Sequence, residues 1–128
     1  MNNPASAYVN TSFESAPPLK ILRMLYAGAL KFLDQARVLE LPANNIQFND
    51  LLGRADAIVS ELRCSLDPTQ SAELATQLDS LYVYAANQIG EAVLERKREP
   101  IDNAHKVLSS LKSAWDELEV GNDEAKVA

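Results

Sequence analysis

Four segments of the chain carry apolar residues at intervals of three and four positions, which is the spacing of one face of an α-helix. The segments span about residues 18–41, 44–66, 68–95 and 100–120, and prolines or polar stretches separate them. No segment alternates apolar and polar residues at period two, so no strand is expected. Four helices joined by short connections predict an all-α, antiparallel four-helix bundle over residues 18–120.

The last three segments each carry one clear apolar stripe. The predicted core positions are Phe48, Leu51, Ala55, Ile58, Leu62 and Leu66 in the second helix; Leu74, Leu78, Leu81, Tyr82, Ala85, Ile89 and Val93 in the third; and Ile101, Ala104, Leu108, Leu111, Trp115 and Leu118 in the fourth. Trp115 is therefore predicted to be a core or seam residue. The charged run over residues 95–99 is interpreted as a solvated helix end.

Local signals predict where the helices begin and end. Pro42 stops the first helix after about Leu41, and Asn44 with Gln47 has the spacing of a capping box for the second. Asp67 followed by Pro68 opens the third helix, with Ser71 as the alternative cap. Gly121 ends the fourth, so residues 121–128 are predicted to be a flexible tail and residues 1–17 an extended or partly ordered arm.

The first helix has more apolar residues than one stripe requires. Its apolar side chains between Leu19 and Leu33 cover an arc of about 240° at 100° per residue, whereas a surface helix needs little over 100°. The surplus face is either a surface for a partner or the consequence of a central helix enclosed by its neighbours and the N-terminal arm. The candidate partner-binding residues on helices are Ile21, Met24, Leu25, Gly28, Phe32 and Tyr84.

Composition excludes several classes of function. The net charge is −6 without a basic run, which argues against a nucleic-acid or anionic-membrane surface. No apolar run approaches the ~20 residues that span a bilayer, and the N-terminus does not resemble a signal peptide. The single cysteine, Cys64, fits a reducing compartment and is interpreted as a helix-packing thiol. A soluble cytoplasmic protein is expected.

The residues that metal or catalytic chemistry would need are too few. His105 is the only histidine, and with Asp102 it makes one acid–histidine pair, whereas a di-iron bundle needs two Glu-x-x-His pairs and two further glutamates. The glycines are scattered and form no phosphate-binding loop. No metal, cofactor or catalytic residue is therefore predicted, and an enzyme is not expected.

An ordered series of short stretches resembles the flagellar secretion chaperone family FliS. No single stretch is diagnostic, but the series at these distances is specific and extends over nearly the whole chain. Two departures occur at Ala27, where the family usually has an acidic residue, and at Ala92-Val93, where it usually has Ala-Asn. The matching stretches are Ala7-Tyr8, Ala16–Leu19, Met24–Ala29, Phe32–Ala36, Glu61–Asp67, Leu81–Tyr84 and Leu111–Trp115.

The resemblance implies a cytoplasmic export chaperone that holds the C-terminal segment of flagellin, prevents premature polymerisation and aids delivery to the type III export apparatus. It also implies that the N-terminal arm, through Tyr8, Val9 and Phe13, covers the client groove until the client displaces it; a permanent core staple is the alternative. The export gate and other flagellar regulators are further candidate partners. A homodimer of the client-free protein and an adaptor bundle for another amphipathic helix remain open alternatives.

Overall fold

The computed structural model of the protein describes residues 19–69 and 71–127, with side chains up to Leu118. Four α-helices follow one another: α1 (Leu19–Arg37), α2 (Asn45–Cys64), α3 (Ala72–Glu95) and α4 (Glu99–Val127). Each helix packs against the next, and α4 packs against α1, so the helices form a closed ring of four seams. This confirms the predicted all-α four-helix bundle; the predicted N-terminal arm lies outside the described residues.

One apolar core runs along the bundle axis. All four helices supply it with both small and large buried side chains. The largest fully buried side chains are Trp115, Tyr26, Tyr82, Phe48, Leu33, Leu52, Leu62, Ile89, Ile101, Leu108 and Val59. Burial of Trp115 confirms its predicted place in the core.

Several predicted core positions lie at the edge of the core and not inside it, and Ile58 and Leu81 are two examples. Ile58 is half-buried and its neighbour Val59 is fully buried, and Leu81 is 39% exposed beside the buried Tyr82. In both cases the spacing of three and four identified the face correctly to within one position. The rotation of that face depends on where the neighbouring helices lie, which the spacing does not contain.

The first connection differs from the prediction at both of its ends. α1 ends at Arg37 and not near Leu41, because the Leu39 amide bonds to the Ala36 carbonyl (3.2 Å) and tightens the last turn. Asn44 occupies the cap position of α2, but its side-chain amide donates to the Glu40 carbonyl (2.9 Å). The predicted capping box is therefore wrong, since the Asn44 side chain is used by the preceding turn.

The predictions for the ends of α3 and α4 are partly right and partly wrong. Ser71 and not Asp67 occupies the cap position of α3, because the Asp67 carboxylate accepts from the Thr69 amide (3.0 Å) in a local turn. α3 ends at Glu95 before an exposed charged run, as predicted, and Arg96 adopts the left-handed conformation there. The predicted stop at Gly121 is wrong: α4 continues to Val127, since a glycine in a helix costs only about 0.5–1 kcal/mol.

None of the helices in the described part of the chain is long and apolar enough to cross a membrane.

Candidate functional site

One edge of α1 packs against α2 through small and apolar groups. A Cβ atom added to Gly28 would lie 3.2 Å from Cδ1 of Ile58, so the missing side chain lets the two helices approach closely. One turn further along α1, the Phe32 ring lies under the guanidinium of Arg54, with Cζ 5.9 Å from the ring centroid. These contacts place the predicted face of α1 along the α1/α2 seam.

Part of this edge is open to solvent. Met24 is 63% exposed and Ile21 is 46% exposed, although both are large apolar side chains. Leu25 and Phe32 are half-buried and pack against the core. We call the strip formed by Ile21, Met24, Leu25, Gly28, Phe32 and Ile58 the α1/α2 surface. The other three helices leave Met24 open. The N-terminal arm, the other predicted cover of α1, lies outside the described residues.

The opposite edge of α1 is charged and faces α4. Arg23 Nε donates to Asp116 (2.6 Å), and Lys112 Nζ donates to the second carboxylate oxygen of Asp116 (2.9 Å). Nearer the other end of the seam, Arg37 donates to Asp102 (2.8 Å) and to Asp34 (2.7 Å). The α1/α4 seam is thus closed by ionic contacts, in contrast to the apolar α1/α2 seam.

These contacts shift the titration of the groups that make them. Hydrogen bonds from Lys112 and from Arg23 hold the pKa of Asp116 below its ordinary value, because both stabilise the carboxylate. The hydrogen bond to Asp102 is the main reason that the pKa of Arg37 is raised. His105 Nε2 lies 3.0 Å from an Asp34 oxygen, so the histidine belongs to this seam.

A buried aromatic cluster lies beneath the two edges. The hydroxyls of Tyr26 and Tyr82 are hydrogen-bonded to each other, and the Trp115 ring centroid lies 6.4 Å from that of Tyr26. Burial raises the pKa of Tyr26 to about 12, against the opposing effects of Tyr82 and Trp115. The Trp115 indole N–H is near enough to lower that pKa, but its geometry falls short of a full hydrogen bond. The cluster ties α1, α3 and α4 together.

The structure separates Tyr84 from the other predicted site residues. Tyr84 is 42% exposed on α3, one turn before Gln88, whose side chain accepts from Asn103 of α4 (2.9 Å). Tyr84 therefore lies on the α3/α4 side, across the ring of helices from the α1/α2 surface. Tyr8, Val9 and Phe13 lie outside the described residues.

Sequence reasoning missed the contribution of α2 to this surface. The apolar spacing predicts Ile58 in the core stripe and gives no role to Arg54, although Arg54 precedes Ile58 by one helical turn. The signal that was available is this spacing of four residues, which places both side chains on one edge of α2.

Cys64 is exposed at the end of α2, so the predicted packing role for its thiol is wrong; the last turn of α2 directs position 64 outward. Within residues 19–69 and 71–127, no three His, Cys, Asp or Glu side chains group as metal ligands would. What the α1/α2 surface offers chemically is apolar contact area with cationic side chains beside it.

The fold and this surface define a four-helix bundle protein that leaves an apolar strip exposed along one seam. The sequence model of the flagellar protein FliS matches residues 1–122. The chain therefore belongs to the FliS family, which confirms the resemblance seen in the sequence.

Characterised relatives in three bacteria agree with this assignment. The flagellar secretion chaperone FliS of Vibrio cholerae is 32% identical over 110 residues, covering 86% of this chain and 81% of that protein. The chaperone FliSB of Pseudomonas aeruginosa is 31% identical, covering 84% and 86%. FliS of Salmonella typhimurium is 28% identical, covering 89% and 85%. Each of these similarities covers more than four-fifths of this chain.

Proposed function

We propose that this protein is a cytoplasmic export chaperone whose α1/α2 surface binds the C-terminal segment of flagellin. Membership of the FliS family supports the chaperone role, since its relatives are flagellar secretion chaperones. The observation that supports the location is the exposure of Ile21 and Met24 beside the half-buried Leu25 and Phe32. An amphipathic helix can cover such a strip by laying its apolar face along the groove.

The proposed activity requires binding and release, without a chemical step. Flagellin segments assemble by burying apolar stripes against one another, so a chaperone that covers those stripes prevents polymerisation. The covering surface must be apolar, extended and adaptable, and the unbranched thioether of Met24 can repack around different partners. Transfer of the client to the type III export apparatus then depends on competition for the same stripe, with no need for a nucleotide or metal.

The test is capture of the client by the tagged full-length protein from flagellated cells. Flagellin should co-purify, and deletion of the flagellin C-terminal segment should abolish capture. Met24→Asp should weaken binding of that segment at least tenfold, because it places a charge on the apolar strip. The matched control is Leu94→Asp on α3, since Leu94 is also exposed (85%) but is remote from the strip.

Two results would contradict this proposal. Capture of flagellin that survives loss of its C-terminal segment would assign the client contact to another region. Capture of a different amphipathic helix, with no affinity for flagellin, would make the protein an adaptor.

The N-terminal arm is proposed to cover the same surface when no client is bound. Eighteen residues precede α1, and Tyr8, Val9 and Phe13 are the apolar side chains available for this contact. Deletion of residues 1–15 should leave helix content unchanged while client affinity stays equal or rises, because an intramolecular competitor is removed. A fall in melting temperature together with helix content would instead identify the arm as a permanent staple of the core.

A further inference from the structure

Two lysines on α1 border the α1/α2 surface. Lys20 and Lys31 are exposed, and neither forms an ion pair or side-chain hydrogen bond with another described residue. The two arginines of α1 differ in this respect, since Arg23 is bonded to Asp116 and Arg37 to Asp34 and Asp102. Among the described residues, the cationic groups of α1 are therefore paired on the α4 edge and unpaired beside the apolar strip.

The positions of the lysines along α1 form a regular border. At roughly 100° per residue, Lys20 and Lys31 lie within about 40° of Met24 around the helix axis, on the side away from Phe32. Eleven positions separate the two lysines, which is about three turns and 16 Å along the axis. Both lysines thus lie along the margin of the strip that is farther from α2.

The other margin of the strip has a different charge. On α2, Arg54 is paired with Asp50 (2.9 Å), and Glu61 is exposed further along the helix. This margin therefore carries no net positive charge, whereas the α1 margin carries two positive charges that have no partner among the described residues. A helix docked on the strip meets unlike electrostatic environments along its two sides.

We propose that the α1/α2 surface selects an amphipathic helix with acidic residues along one side of its apolar stripe, about three turns apart. Those carboxylates pair with Lys20 and Lys31, and the apolar stripe covers Ile21, Met24 and Phe32. The inference rests on the proposed function and specifies the flagellin segment that fits. The charged margin fixes which side of the segment faces α1, because a reversed helix would place those carboxylates beside Glu61.

Charge reversal at the two lysines tests the proposal. In the full-length protein, Lys20→Glu with Lys31→Glu should weaken binding of the flagellin C-terminal segment about tenfold at low salt, because two attractions become repulsions. The affinity of the unchanged protein should fall as salt rises from low to physiological concentration, and the double variant should lose that dependence. Circular dichroism checks that both proteins keep the same helix content.

The matched control is Lys97→Glu with Lys106→Glu. Both of these lysines are exposed and lie on the α3–α4 connection and on α4. The control lowers the formal net charge of −6 by the same amount as the test variant. Its binding should stay within about twofold of the unchanged protein, because the lost Lys97–Glu95 contact (3.3 Å) is remote from the strip and only long-range, screened charge at the strip is altered.

The outcomes separate the inference from the proposed function. Equal weakening in the two double variants would show a general effect of net charge and overturn the inference. Binding that is unchanged by reversal at Lys20 and Lys31 would overturn it as well, while the proposed function stands. If the unchanged protein does not bind the segment at any salt concentration, both are contradicted.

A compensating change gives a stronger test of the same pairing. When the acidic residues on one side of the segment are replaced by lysine, the modified segment should bind the Lys20→Glu, Lys31→Glu variant better than it binds the unchanged protein. Such a reversal of preference requires direct pairing at this margin. Its absence would contradict the proposed contact.

Discussion

The two edges of α1 meet their neighbours in opposite ways. Towards α4, the contacts are ionic and internal: Arg23 with Asp116, and Arg37 with Asp102. Towards α2, the contacts are apolar and incomplete, with Met24 largely exposed. The difference shows how one helix can combine a closed seam with an open one. Polar groups that are paired within the same chain need no further contact. The free energy falls, in contrast, when another chain covers exposed apolar groups.

The energies of the two edges differ in kind. Partly exposed ion pairs such as those on the α4 side contribute about 0.2–1 kcal/mol each, and salt weakens them. Apolar area on the α2 side contributes about 25 cal/mol for each Å² removed from water, and only when a partner removes it. The α4 edge therefore affects the stability of the free bundle, and the exposed part of the α2 edge is proposed to affect the free energy of binding.

The largest effect is expected where α4 meets the core beneath its charged edge. Trp115→Ala should lower the free energy of unfolding by about 3–5 kcal/mol, because it leaves a large cavity beside Tyr26. Denaturant unfolding measures this loss. In conditions where the variant remains folded, its affinity for the flagellin segment should match that of the unchanged protein. Normal stability with weakened client binding would show that Trp115 is a client contact.

Glycine substitutions measure how closely the α2 edge is packed. Gly53→Ala and Gly90→Ala should each raise the free energy of unfolding by about 0.5–1 kcal/mol, since nothing lies within 4 Å of the added Cβ. Gly28→Ala should gain less, because Ile58 Cδ1 must move from its position 3.2 Å away. Thermal unfolding of the three variants gives the comparison. An equal gain at all three sites would mean that the α1/α2 approach is looser than described.

The smallest effect is expected from the ionic edge. Asp116→Asn should cost at most about 1 kcal/mol, because its partners Arg23 and Lys112 are about one-third exposed. The pKa of Asp116 is lowered in the folded protein, so its contribution is present above the ordinary value of 3.8 and is lost as the pH falls through the lowered value. The stability difference between the two proteins should therefore shrink below about pH 4.

The control for the ionic edge is Asp50→Asn. Asp50 pairs with Arg54 inside α2, and both side chains are more than half exposed. Its effect on unfolding should be smaller than that of Asp116→Asn and equally sensitive to salt. A larger effect from Asp50 would reverse the assignment of the stabilising ion pairs to the α4 edge.

Much of the fold could be predicted because apolar spacing reports local geometry. The stripes through Leu62, Tyr82 and Leu108 identified buried faces correctly, since a helix that must bury one side repeats every three or four residues. The helix ends were less predictable. Asn44 has the right spacing for a capping box, but its side-chain amide donates a hydrogen bond to the carbonyl of Glu40, four residues earlier in the chain. Competing hydrogen bonds of similar energy decide such ends, and sequence does not rank them.

The candidate surface could be predicted only in part. The surplus of apolar residues on α1 was visible, and Met24 proved to be exposed. The separation of Tyr84 from that surface was not visible, because it depends on the order in which the helices surround the core. The charged edge was also hidden, since Arg23 and Asp116 lie far apart in sequence and become neighbours only when α4 packs against α1.

The buried position of Trp115 provides an intrinsic optical probe of the bundle. It is the only tryptophan in the chain, it is 1% exposed, and the Tyr26 ring lies close enough to transfer excitation to it. Its emission should therefore be blue-shifted in the folded protein and move to longer wavelength when α4 separates from α1. A flagellin segment without tryptophan that docks on the far edge of α1 should leave this spectrum almost unchanged, so a single fluorescence measurement distinguishes docking from opening of the core.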